Sequence, residues 1–163
     1  MGAPHEDSAA RIRWLFAQKE LACARYVRAV ASSLELSENE LRALVCIARH
    51  GEISPSLLSL RTGLSVQVVG AISSRLGELG LIERRRHERD RRSRLLRLTA
   101  DAEATLQASF AALTERIDSV FEALPQRDRR VVAAFLERVA DASAEAAGDA
   151  SLLPGPGSLA AAG

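Results

Sequence analysis

Residues 65–99 read SVQVVGAISSRLGELGLIERRRHERDRRSRLLRLT, and a change of periodicity inside this stretch decides the fold. In its first part Val66, Val69, Ile72, Leu76 and Leu79 recur at three and four residues, which is one face of a helix over 66–79, and Gly80 ends the pattern. Ser73 falls near the edge of the opposite, exposed face. Residues 81–85 then make a short strand and 87–91 a polar charged turn, while Leu96 and Leu98 alternate with period two. A β-hairpin therefore follows the helix directly.

Upstream, Ser54-Pro55 starts a short helix that runs through Leu57, Leu58 and Leu60 to Thr62, with Gly63 closing it. Two short helices joined by a glycine-containing turn form a helix-turn-helix, and the hairpin behind them is a wing. Ser37-Glu38-Asn39-Glu40 reads as a capping box opening an earlier helix. That helix is expected to turn Leu41, Leu44, Val45 and Ala48 inward and to stop before Gly51. A long first helix, capped by Asp7 or Ser8, carries Ile12, Leu15, Phe16, Cys23, Tyr26, Val27, Val30 and Leu34.

Beyond the wing, Thr99 caps a helix with Leu106, Phe110, Leu113, Ile117, Val120, Phe121 and Leu124, which Pro125 interrupts. A last helix shows Val131, Val132, Phe135, Leu136 and Val139. The predicted fold is mainly α with a small β-hairpin: a winged helix-turn-helix over 36–99, flanked by dimerisation helices at 8–35 and 100–147, with a disordered tail at 148–163. The terminal helices have apolar stripes wider than the small core covers, so pairing of two copies is expected; a monomer with those helices folded back is the alternative.

With 47% hydrophobic and 26% charged residues, the 163-residue chain has the composition of a folded globular protein. A net charge of +1 hides a gradient, because residues 82–98 hold eight arginines against three acids. No run of eighteen apolar residues occurs and residues 1–7 lack a secretory pattern, so a cytoplasmic protein without membrane contact is expected. Cys23 and Cys46 are too few for a disulfide scaffold or zinc site and are expected to be small buried hydrophobes. His5, His50 and His87 are scattered, and no phosphate loop or nucleophile with partners at recognisable spacing occurs. Neither an enzyme, nor a cofactor, nor a metal is expected.

The surplus of positive charge, next to a helix that fits a major groove, points to double-stranded DNA. On the exposed face of the second helix of the pair lie Ser65, Gln67, Val68, Gly70, Ala71, Ser74 and Arg75. Gln67 suits adenine, Val68 or Ala71 a thymine methyl, and Gly70 a close backbone approach, while Arg75 is placed for a phosphate. In the wing, Arg89, Arg91 and Arg92 surround Asp90, and arginine is drawn to a narrow minor groove. The plainer readings are a solvated helix face and a solubilising arginine run. A protein-interaction module that kept the fold without DNA binding is the competing function.

These residues resemble the MarR family of transcription regulators. The resemblance rests on residues 36–41 (LSENEL), Leu64-Ser65, Arg75-Leu76, residues 80–84 (GLIER), and Asp90-Arg91-Arg92 through Leu98-Thr99. It implies a homodimeric regulator, most often a repressor of a pseudo-palindromic operator, in which Asp90 and Arg92 are the wing pair required for DNA binding. Members often carry threonine or serine and then arginine where this chain has Gly70 and Ala71, and a glycine where it has Ala102. Many members bind small phenolic or other organic anions between the dimerisation helices and the winged lobe; Trp14, Arg25, Tyr26 and Arg28 are the candidates here. A subset senses oxidants through a first-helix cysteine, and Cys23 lies in that helix without matching aromatic partners.

Overall fold

The computed structural model describes residues 8–86 and 94–150. In chain order it contains α1 (Ser8–Ser33), α2 (Glu38–His50), α3 (Pro55–Thr62), α4 (Val66–Glu78), β1 (Ile82–Arg86), β2 (Arg94–Leu98), α5 (Ala100–Glu122) and α6 (Gln126–Ala150). The chain divides after Ala112, inside α5, into two compact units. Among the described residues no helix is long and apolar enough to cross a membrane.

The caps lie where the side-chain chemistry puts them. The Ser37 hydroxyl accepts from the Glu40 amide at 3.2 Å and the Glu40 carboxylate accepts from the Ser37 amide at 2.7 Å, so two otherwise unpaired donors are satisfied reciprocally. Ser54 and Ser65 cap α3 and α4 by accepting from the amides of Leu57 and Val68. Thr99 caps α5, accepting from the Ala102 amide at 3.4 Å. α1 ends through Glu35, whose φ of 54° is left-handed, while the Leu36 amide returns to the Ala31 carbonyl at 2.9 Å. Arg129 donates to the carbonyls of Leu124 and Glu122, which the end of α5 leaves unpaired.

The core of the first unit gathers Leu41, Ala43, Leu44 and Ile47 of α2, Leu58 of α3, Val69, Ile72 and Leu76 of α4, and Ile82, Leu96 and Leu98 of the hairpin. Each fully buried leucine, isoleucine or valine among them contributes about 1.5–3 kcal/mol. Helix α2 touches α1, α3, α4 and β2, so its inward arc is wide and rotated. Ala43 and Ile47 are buried as a result, whereas Ala48, expected inside, is exposed. Val66 and Leu79 are 63% and 42% exposed, since they sit at the ends of α4 where its inward face runs past the core. Ser73, expected near the edge of the exposed face, is instead buried, at 3%. Leu60 of α3 is 78% exposed. Both cysteines are free and half-buried rather than fully buried, and burial pushes the Cys46 thiol up, with Arg61 and Arg49 opposing it.

The two strands pair antiparallel with Ile82 opposite Leu98 and Arg84 opposite Leu96. A bridge that the sequence pattern does not announce joins them to the segment before α3: the Ile53 amide donates to the Leu96 carbonyl at 3.1 Å and the Leu96 amide to the Ile53 carbonyl at 2.8 Å. In the second unit α6 continues to Ala150, past Gly148, where the helix was expected to have ended.

Candidate nucleic-acid interface

Helix α4 is built with two unlike faces. Val69, Ile72, Ser73 and Leu76 face the core, and Ser65, Gln67, Val68, Gly70, Ala71, Ser74 and Arg75 are exposed, so the chain brings these seven candidates onto one element. A Cβ added at Gly70 or Gly77 meets nothing within 4 Å, so the packing of the chain itself does not require their smallness. The outward face is therefore low in relief and nearly free of charge, with Arg75 as its cation and no acid before Glu78.

The hairpin is fixed to the end of α4. Thr99 Oγ1 donates to the Gly80 carbonyl at 2.9 Å and the Thr99 amide to the Leu81 carbonyl at 3.1 Å, while Gly80 turns the chain at a φ of 69°. Its outward arginines have carboxylate neighbours: Arg85 lies 3.2 Å from Glu83, and Arg97 4.0 Å from Glu52. Arg84 instead reaches α4, with Nη2 3.4 Å from Ser74 Oγ. Arg84 is not among the residues the sequence singles out, although its place two residues after Ile82 signals that it starts from the inward side of the strand. The wing candidates Arg89, Asp90, Arg91 and Arg92 lie outside the described residues.

The candidates for a small anion do not converge within the chain. The Tyr26 hydroxyl donates to the Ser109 carbonyl at 2.7 Å and its ring packs on Phe110 with centroids 5.8 Å apart, which makes it part of the packing of α1 on α5. Arg28 pairs with Glu38 at 2.9 Å, and Arg25 is exposed. Trp14 is 62% exposed. It stands twelve residues before Tyr26 on the same helix, about 18 Å along the axis. An apolar cavity between α1, α2 and α5, lined by Leu34, Leu36, Leu44, Leu81, Ala102, Thr105 and Leu106, has only about 60 Å³ and touches none of the four. Ligand pockets usually have roughly 300–1,000 Å³. Among the described residues no three His, Cys, Asp or Glu side chains stand where they could hold a metal ion.

Two helices in a tight turn, followed at once by an antiparallel hairpin that packs on the second helix, define a winged helix-turn-helix protein. A family model described as MarR family matches residues 36–93, about a third of the chain, from just before α2 to the residue before β2. The fold is also that of solved structures over most of the chain. RV1404 from Mycobacterium tuberculosis is 22% identical with a TM-score of 0.63, covering 87% of this chain and 98% of its own. NadR in complex with 4-hydroxyphenylacetate is 21% identical with a TM-score of 0.61, covering 86% and 98%. NMB1585, a MarR family regulator from Neisseria meningitidis, is 24% identical with a TM-score of 0.57, covering 85% and 97%. No curated protein matches the chain.

Proposed function

We propose that the protein is a transcription regulator that binds duplex DNA as a homodimer and represses from a pseudo-palindromic operator. The observation that carries this reading is the join between a low face of α4 with one cation and no acid before Glu78 and a hairpin with five arginines against one glutamate in its two strands. Helix α4 enters the major groove, with Gln67 and Val68 at base edges and Gly70 and Ala71 against the groove floor. The hairpin lies over the flanking minor groove, and Arg89, Arg91 and Arg92, which flank Asp90 in the sequence, are its candidate contacts there. Two copies place their recognition helices about one helical turn of DNA apart.

Support for the second copy comes from the apolar side chains left uncovered in the terminal helices. Trp14 and Leu21 of α1, Val120 of α5 and Val131 of α6 are each more than 60% exposed. On α6, Val131, Ala134, Phe135, Val139 and Ala142 form one stripe. A small organic anion relieves repression in this reading, by binding one spacing of the recognition helices more tightly than the other. The 4-hydroxyphenylacetate bound by NadR is the first compound to try.

The test is retention of genomic duplex across a salt series. A protein making 6–10 phosphate contacts loses about 10³–10⁵ in affinity between 50 and 200 mM salt. Arg92→Ala is expected to weaken binding to all sequences, and Gln67→Ala to change preference at one base pair. Absence of duplex binding at low salt favours the second reading, a protein-docking module, for which the exposure of Leu60 and Val66 speaks.

A further inference from the structure

We infer that Arg84, Ser74 and Arg75 form one phosphate-binding point at the junction of α4 and β1, a subsite that rests on the DNA-binding reading above. Strand side chains alternate, so Arg84 leaves β1 on the same side as Ile82, and the cross-strand partners of these two, Leu98 and Leu96, are both buried. Its stem therefore starts toward the core, and its guanidinium emerges over the exposed hydroxyl of Ser74. The 3.4 Å separation is long for a hydrogen bond; its value is that it places the charge on α4 rather than on the outer side of the hairpin.

The electrostatics separate Arg84 from Arg85 and Arg97. Arg85 and Arg97 face the carboxylates of Glu83 and Glu52, whereas the hydrogen bond of Arg84 among the described residues is to a neutral hydroxyl. Ser74 accepts from Arg84, which leaves its own proton to donate to an incoming oxygen. Arg75 is the next residue and is exposed. Glu78, one turn on, pairs with neither arginine among the described residues. A guanidinium, a hydroxyl and a second guanidinium together match the donor-only demand of a phosphate diester.

Placement along the helix selects phosphate over base. Ser74 lies eight residues after Val66, about 12 Å along the axis, which is about the width of the major groove. With the first turn of α4 at the base edges, Ser74 and its two arginines arrive at the strand that walls the groove.

The test compares wild type, Arg84→Ala, Arg84→Lys, Ser74→Ala and, as control, Arg85→Ala on one retained genomic duplex and one random duplex. Arg84→Ala is expected to weaken both by the same factor, about fivefold near 0.15 M salt, and to make the log–log salt slope shallower by about one. Arg84→Lys keeps the slope but recovers only part of the affinity, Ser74→Ala loses less than Arg84→Ala on both duplexes, and Arg85→Ala changes the slope less. Thermal unfolding of each variant identifies one that has lost its fold, and Arg84→Lys then carries the comparison. If wild type binds while Arg84→Ala keeps its affinity and slope, or alters preference at a single base pair, the phosphate point is wrong and the DNA-binding reading stands. If wild type retains no duplex, both fall.

Discussion

Ser73 puts a hydroxyl among aliphatic side chains with no hydrogen-bond partner for its oxygen. Leaving a polar group buried and unanswered costs about 1–3 kcal/mol, and alanine removes it while leaving the methylene packing almost intact. Ser73→Ala is expected to stabilise the fold by about 1 kcal/mol, raising the melting temperature by roughly 2–4 °C for a chain of this size. A lower melting temperature in calorimetry would mean that the hydroxyl contributes to the packing. The burial was legible: Ser73 stands four residues after Val69 and three before Leu76, which is the spacing of one helix face. Its polarity hides this, because a pattern search looks for apolar residues.

For α4 as an element, Gly70 weakens the helix interior by about 1 kcal/mol relative to alanine, in a place where the free chain has room for a methyl group. Gly70→Ala is therefore expected to raise thermal stability while lowering affinity for DNA, because the added methyl occupies the space through which the backbone approaches the groove. Tighter binding by this variant, measured beside its melting curve, argues against that approach. Element starts were the most legible feature of the sequence, since Ser37, Ser54 and Thr99 each announce a cap by side-chain chemistry acting over three residues. Ile53 was not legible: a single bridge has no periodicity, and its partner Leu96 is 43 residues away. The phase of α2 was missed for a related reason, because four surrounding elements, rather than its own pattern, decide which residues are covered. At the candidate interface the seven positions on α4 were legible from helix geometry, but the reach of Arg84 to Ser74 depends on how two elements pack.

At the scale of the whole molecule, the apolar stripe of α6 is the feature that two copies would hide. Phe135 is 43% exposed near its middle. Phe135→Asp places a charge in that stripe and is expected to convert a dimer to monomers in sedimentation velocity, with loss of most operator affinity because the two half-sites no longer bind as one unit. A variant that stays dimeric and binds as before would move the dimer contact away from this face.

The bridge between Ile53 and Leu96 has a mechanical consequence. It ties the middle of β2 to Ile53, two residues ahead of α3, while Thr99 clips the base of the hairpin to the chain leaving α4. Held at both points, the strands resist pivoting separately from the helix pair, so that α4 and the hairpin are coupled like the two jaws of a single calliper. If two copies pair through their terminal helices as proposed, a signal reaching those helices would alter how far apart two such callipers stand rather than the geometry within either.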